Sequence, residues 1–175
     1  MKRLIFFIAI AALFSSCKNL VPYTDAMRKK YNWNDDQIKR IQFYVSHEIV
    51  LHRELSNGST EIVQGKIKTI RGRKVDEILI PSGTKGVVTN IPKENKLLVS
   101  FEVGDDHYLS FGLNPNSDRY VLLASDWKSE IGKVHYGGNE YYTDLDSKYA
   151  SLLVDLRKIE NMEVKQRVAK GRKVN

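Results

Sequence analysis

The sequence predicts a mainly β protein, an antiparallel small barrel or sandwich with one short N-terminal helix. Three observations carry that class. From about Ser46 onward, apolar and polar residues alternate with a period of two, the pattern of strands with one buried face. Turn signals recur at short intervals between these runs, Gly137-Gly138 being a strong two-residue hairpin signal. No stretch reads as a strand–helix–strand unit, so a parallel sheet is not expected. The chain divides into a leader over 1–16, a tether over 17–32, a single β-rich domain with its N-terminal helix over 33–158, and a basic tail over 159–175.

The leader begins with Lys2 and Arg3 and continues as an unbroken apolar run from Leu4 to Phe14, followed by Ser15, Ser16 and Cys17. Eleven helical residues rise only about 16 Å, too short for a hydrocarbon core of about 30 Å. A positive start, a short apolar core and a small-residue exit are the parts of a secretory signal peptide. The other reading, a buried N-terminal helix, lacks the polar face a surface helix shows. Cys17 is the only cysteine. It has no disulfide partner within the chain, and an exported protein with one thiol calls for an explanation.

Phe14-Ser15-Ser16-Cys17 resembles the lipobox of bacterial lipoproteins, in the looser form found in the Bacteroidota, with phenylalanine where leucine is usual. The resemblance covers the leader alone. It implies cleavage before Cys17, lipidation of its sulfur and amine, and a stable anchor from several acyl chains at about 0.8 kcal/mol per buried methylene. Lys18 stands where an aspartate would resemble an inner-membrane retention signal, so the outer membrane is expected. The residues after Cys17 also lack the acidic cluster that resembles a surface-export tag, which points to the periplasmic face.

In order along the mature chain, Pro22 and the lack of an apolar period mark residues 18–30 as tether. Asn34 reads as a helix cap, with Asp35 and Asp36 in the first turn and Gln37 placed for a capping box. Ile38, Ile41 and Tyr44 or Val45 then give one inward face over two to three turns, and Trp33 stands where a hydrophobic staple would. Strands are expected at 47–54, 61–70, 74–80, 86–91, 96–103, 108–111, 120–124, 132–136 and 139–143. A last core strand carries Ala150, Leu152, Val154 and Leu156 on one face. The residues 80–88 with 97–101 resemble an SH3-like barrel core, in which a glycine-bearing turn opens a strand and an alternating strand pairs back onto it.

The full chain carries +7, and loss of Lys2 and Arg3 leaves +5 on the mature part. In the envelope, the matching anions are lipid head groups, peptidoglycan carboxylates and acidic protein surfaces. A soluble surface that happens to be basic reads the same way. The basic hairpin Lys66, Lys68, Arg71, Arg73 and Lys74, with Arg172 and Lys173 of the tail, is one candidate surface for an anionic partner. Its ordinary reading is an edge strand kept from aggregating by lysines, beside a solvated tail. A second candidate is an aromatic interface of Trp127, Tyr136, Tyr141 and Tyr142, with Tyr149 nearby. Tyr141 and Tyr142 are adjacent in a strand and must face opposite ways, so one is core and the other exposed.

No catalytic residue, metal site or cofactor is expected: no HExxH, paired-cysteine or GxSxG motif occurs. His47 and His52 are read as lying on opposite faces of one strand, with His47 inward as a hydrogen-bonded imidazole. Asp105-Asp106-His107 reads as a solvated turn. Glu102, Asp126, Asp144 and Asp155 are the acids a glycosidase pair would draw on, and nothing in the sequence pairs them. The expectation is a non-enzymatic, lipid-anchored binding or accessory subunit of an outer-membrane protein assembly, with another envelope protein as partner. The alternatives are attachment to peptidoglycan or another glycan, and a hydrolase with a scattered site. Nucleic acid would be a partner only if the leader were misread.

Overall fold

In a computed structural model of the chain, the described residues are 19–55, 68–70, 73–93, 95–125, 127, 131–144 and 146–163. The leader with Cys17, and most of the expected strand at 61–70, lie outside them. The protein is mainly β and its strands are antiparallel. A seven-stranded sheet has the order β1 (Leu20–Pro22), β12 (Leu152–Asp155), β2 (Phe43–Val45), β6 (Lys85–Lys93), β7 (Lys96–Ser100), β8 (Tyr108–Asn114), β9 (Arg119–Leu122). A five-stranded sheet has the order β10 (Gly132–Tyr136), β11 (Asn139–Thr143), β3 (Ile49–Glu54), β5 (Arg73–Ile80), β4 (Lys68–Ile70).

One corner generates both sheets. β2 runs into β3 through Ser46, and β5 runs into β6 through Pro81–Thr84, so two bent strands pass together from one sheet to the other. Their pairing persists around the bend, with Val45 N–H to Thr84 O at 3.1 Å and Gly83 N–H to Val45 O at 2.8 Å. Ser46 is the clasp: its Oγ accepts the Ser151 N–H at 2.8 Å, and its carbonyl accepts from Ser82 Oγ at 2.7 Å. A lighter seam joins the other side. There β9 runs on past Leu122, with Leu123 N–H still on Ser110 O of β8, until Ser125 crosses to β10, its N–H reaching Lys133 O at 2.8 Å and its Oγ the same oxygen at 3.0 Å. One residue's contacts are not a ladder, and the sheets do not close into a barrel. Of the barrel and sandwich readings, the sandwich-like one describes the protein. The strand pairing expected of the 86–101 region is present, Val87 opposite Ser100 and Val88 opposite Val99.

The N-terminal elements differ from expectation. Residues 20–30, read as tether, form β1 and a helix, α1 (Asp25–Lys30). Thr24 caps α1 by accepting the Met27 N–H at 3.0 Å, and Asp25 at its start and Arg28, Lys29 and Lys30 at its end complement the helix dipole. Asn32, at φ +49°, ends it in a Schellman turn, with Trp33 N–H to Arg28 O at 3.2 Å and Asn32 N–H to Lys29 O at 3.1 Å. Tyr23 is fully buried, its ring against Phe43 (5.1 Å, edge-on) and Tyr120 (5.0 Å). The expected capping box is present: Asn34 Oδ1 accepts the Gln37 N–H at 2.9 Å and Gln37 Oε1 accepts the Asn34 N–H at 3.0 Å. The helix it starts, α2, is only Asp35–Ile38. Tyr44 and Val45, one of them expected on a helical face, form with Phe43 the interior strand β2, and all three are buried. A short strand covered on both faces loses the alternation that would reveal it.

The remaining expected strands that fall within the described residues are present with small changes of boundary. Gly137 and Gly138 adopt φ +54° and +72°, which a type I′ hairpin turn between β10 and β11 requires. A 3-10 helix, Asp146–Tyr149, leads into β12. Leu156, read as the last residue of a core strand, instead opens a helix, α3 (Leu156–Glu163), which also takes in the first residues of the expected tail. Asp155 Oδ1 accepts the Arg157 N–H at 3.2 Å at its start. The strands fall in a compact unit over 21–154; the described residues 19–20 and 155–163 belong to a second unit, in which Leu156 N–H bonds Asn19 O at 3.2 Å. Among the described residues, no helix is long and apolar enough to cross a membrane.

Candidate functional site

Register decides which polar residues meet. On the inward face of the five-stranded sheet, β3 sets Arg53 opposite Asp76 of β5, and Tyr141 arrives from β11. Asp76, only 4% exposed, accepts from Arg53 Nε at 2.9 Å and from Tyr141 OH at 2.8 Å. Arg53 also donates to Asn139 Oδ1 and lies 5.3 Å from the Tyr141 ring centroid. Burial first, and then the bond to Asp76, push the Tyr141 phenol up to about 12. Each charge here has an opposite partner, and the network ties β3, β5 and β11 together. A buried ion pair of this kind matters chiefly because breaking it strands a charge.

A second cluster ties the 101–107 loop to the β10–β11 turn. Tyr136 OH donates to Glu102 Oε1 at 2.9 Å, and burial followed by that bond raises its phenol well above the ordinary range. His107 Nε2 lies 3.7 Å from the same oxygen, with its ring edge-on to Tyr136 at 5.2 Å. Asp105 and Asp106 are exposed, as a solvated turn should be.

Of the expected aromatic interface, Tyr136 and Tyr141 are therefore core and bonded, 2% and 3% exposed. Tyr142 is the exposed member of its pair at 39%, as the alternation requires. On the outer face of the five-stranded sheet, Lys133, Tyr142, His52 and Glu77 stand in register across four strands. Lys133 Nζ lies 5.7 Å from the Tyr142 centroid and 2.9 Å from Glu140 Oε1, and this bond holds Glu140 below the usual carboxylate value. Leu79, 51% exposed, lies on the same face, opposite Val50.

The basic hairpin is only partly visible. Lys66, Arg71, Arg172 and Lys173 lie outside the described residues; Lys68 opens the edge strand β4, Arg73 opens β5, and Lys74 is exposed. His47 is a correction. It is exposed at the bend before β3, with Nδ1 2.8 Å from Ser46 Oγ, and shares no strand with His52. The acids named from sequence have local structural roles. Asp144 accepts from Ser147 N–H and Oγ at 3.2 and 2.9 Å, Asp155 caps α3, Glu102 holds Tyr136, and Asp126 lies outside the described residues. Among the described residues, no group of three or more His, Cys, Asp or Glu is arranged to hold a metal ion.

Trp127 belongs to a surface that sequence reasoning did not assemble. Val121 of β9 bridges Ser151, which sets the 3-10 helix beside β9 and opens a groove of about 380 Å3. Trp127, Tyr149, Arg119, Lys148 and Leu123 line it. Tyr149 is 61% exposed, and Lys148 Nζ lies 5.8 Å from the Trp127 centroid. The Trp127 ring seats where Gly132 has no side chain: a Cβ there would come within 2.8 Å of it. Leu123 also walls a second groove, of about 560 Å3, with Lys96, Leu98, Tyr108 and His135. Among the described residues, neither lining includes a carboxylate. No sequence signal joined Arg119 to Lys148 and Tyr149; only the β9–Ser151 bridge does. The chain matches no protein-family model, no curated protein and no solved structure.

Proposed function

We propose that this is a lipid-anchored protein of the bacterial outer membrane, facing the periplasm, that acts as a non-enzymatic binding or accessory subunit of an envelope assembly. The observation that carries the reading is the leader: a charged start, a short apolar run, two serines and then the only cysteine of the chain. Acylation of Cys17 would hold the β body within reach of other membrane-anchored proteins. The outer face of the five-stranded sheet supports the binding half of the proposal. It displays Tyr142 and Leu79 among Lys133, His52 and Glu77, an aromatic and an apolar side chain ringed by polar groups, which is how protein interfaces are composed.

Intact-mass analysis of the native protein tests the anchor. A chain beginning at an acylated Cys17 is expected, and a full-length chain with Met1 and a bare thiol would remove the address. Pull-down from detergent-solubilised native membranes tests the assembly. A stoichiometric envelope partner is expected, lost on Tyr142→Glu and Leu79→Glu. Recovery of the protein alone at complete solubilisation would contradict the accessory role.

A further inference from the structure

We propose that the two grooves sharing Leu123 form one binding trench for peptidoglycan, a sugar chain whose peptide stems carry carboxylates. The inference rests on the envelope address for where the ligand is met, but not for whether it binds. Tyr149, 61% exposed, presents an aromatic ring suited to the apolar face of a pyranose, and half-buried Trp127 lines the same groove. Arg119 and Lys148 stand beside them, and Lys96 lies further along, so cations flank the aromatic platform. The acids nearest in the chain lie outside this lining: Asp118 accepts the Ala26 N–H at 3.1 Å, Asp144 accepts from Ser147 Oγ at 2.9 Å, and Asp144, Asp146 and Glu48 line a separate pocket on another side of Tyr149. A lining with cations and no described carboxylate favours an anionic ligand.

An extended acidic peptide is the rival occupant, and the backbone argues against it. An extended peptide is commonly bound by adding it as a strand to an open sheet edge. The β9 edge here is already taken, by Leu122 N–H to Ala150 O at 2.9 Å and by the Val121–Ser151 bridge. What remains is a sheet face with exposed rings and charges, which suits a ring-stacking ligand better than a backbone.

The test is calorimetric titration of the mature full-length protein in detergent with soluble disaccharide–tetrapeptide fragments of peptidoglycan. Saturable binding is expected, weakened about tenfold by Tyr149→Ala and about tenfold by Arg119→Ala with Lys148→Ala, a loss typical of one stacking or charged contact. Chitotetraose, which keeps the sugar ring and lacks carboxylates, is expected to bind at least about tenfold more weakly. These three side chains are exposed, so the variants are expected to fold. No saturable binding, or equal binding by wild type and variants, would overturn the proposal. So would equal or tighter binding of an oligoglutamate peptide, which would give the trench to an acidic protein, or of chitotetraose. Because the titration uses purified protein, its failure leaves the lipid anchor standing, and a bare Cys17 would leave the trench standing.

Discussion

Arg53 and Arg119 are the same residue in opposite situations, and so are Tyr141 and Tyr149. The inward pair sits in a closed network with Asp76, where every charge is neutralised and the phenol donates to a carboxylate. The outward pair lines an open groove with no acid among its described residues. Chemistry alone therefore assigns no role to an arginine or a tyrosine here. The partners supplied by strand register do, turning one set into a fastening between strands and leaving the other available to a ligand.

The largest effect is expected from breaking the inward network at its centre. Asp76→Ala strands the largely buried Arg53 charge, and urea unfolding is expected to show a loss of about 3–5 kcal/mol. Tyr141→Phe leaves that ion pair in place and is expected to lose only about 1 kcal/mol, one hydrogen bond. A similar loss from both variants would mean that the carboxylate is not the hub. Tyr23→Phe sharpens the comparison from the other side. Its buried hydroxyl has no hydrogen-bond partner among the described residues, so removing it is expected to stabilise the fold by about 1 kcal/mol.

Alkaline pH probes the inward tyrosine with little change of side-chain volume. The folded protein holds the Tyr141 phenol up to about 12 against an ordinary 10, so folding favours its neutral form. The stability this contributes is complete below pH 10 and is lost as pH rises towards 12. Thermal melts between those values should fall less steeply for Tyr141→Phe than for wild type. Tyr23 and Tyr136 shift in the same direction, so some slope remains in the variant.

Much of the fold is legible in the sequence because one-sided strands advertise themselves. Leu97 and Val99 alternate with half-buried neighbours, and Gly137-Gly138 announces its turn. The elements that escaped are those without a period. β2 is buried on every residue, and α1 buries none of its six. The signals for α1 were its Thr24-Asp25 cap and its basic end, which outweigh hydrophobic pattern in so short a helix. Tyr23 was illegible for another reason: a single aromatic between a proline and a cap looks like linker until Phe43 and Tyr120 close on it. The trench was hidden because Arg119 and Tyr149 lie far apart in the chain, and nothing local foretells the bridge that sets β9 beside the 3-10 helix.

The smallest stability effect is expected in the trench itself. Tyr149→Ala and Lys148→Ala should each shift stability by no more than about 0.5 kcal/mol, as exposed substitutions do. The most direct measurement applies one truncation to both regions: urea unfolding of Arg53→Ala and Arg119→Ala side by side. Removing Arg53 leaves the Asp76 carboxylate buried without its cation, and a loss of at least about 3 kcal/mol is expected, against no more than about 0.5 kcal/mol for Arg119. Equal losses from the two variants would contradict the division between a fastening network and a free binding surface.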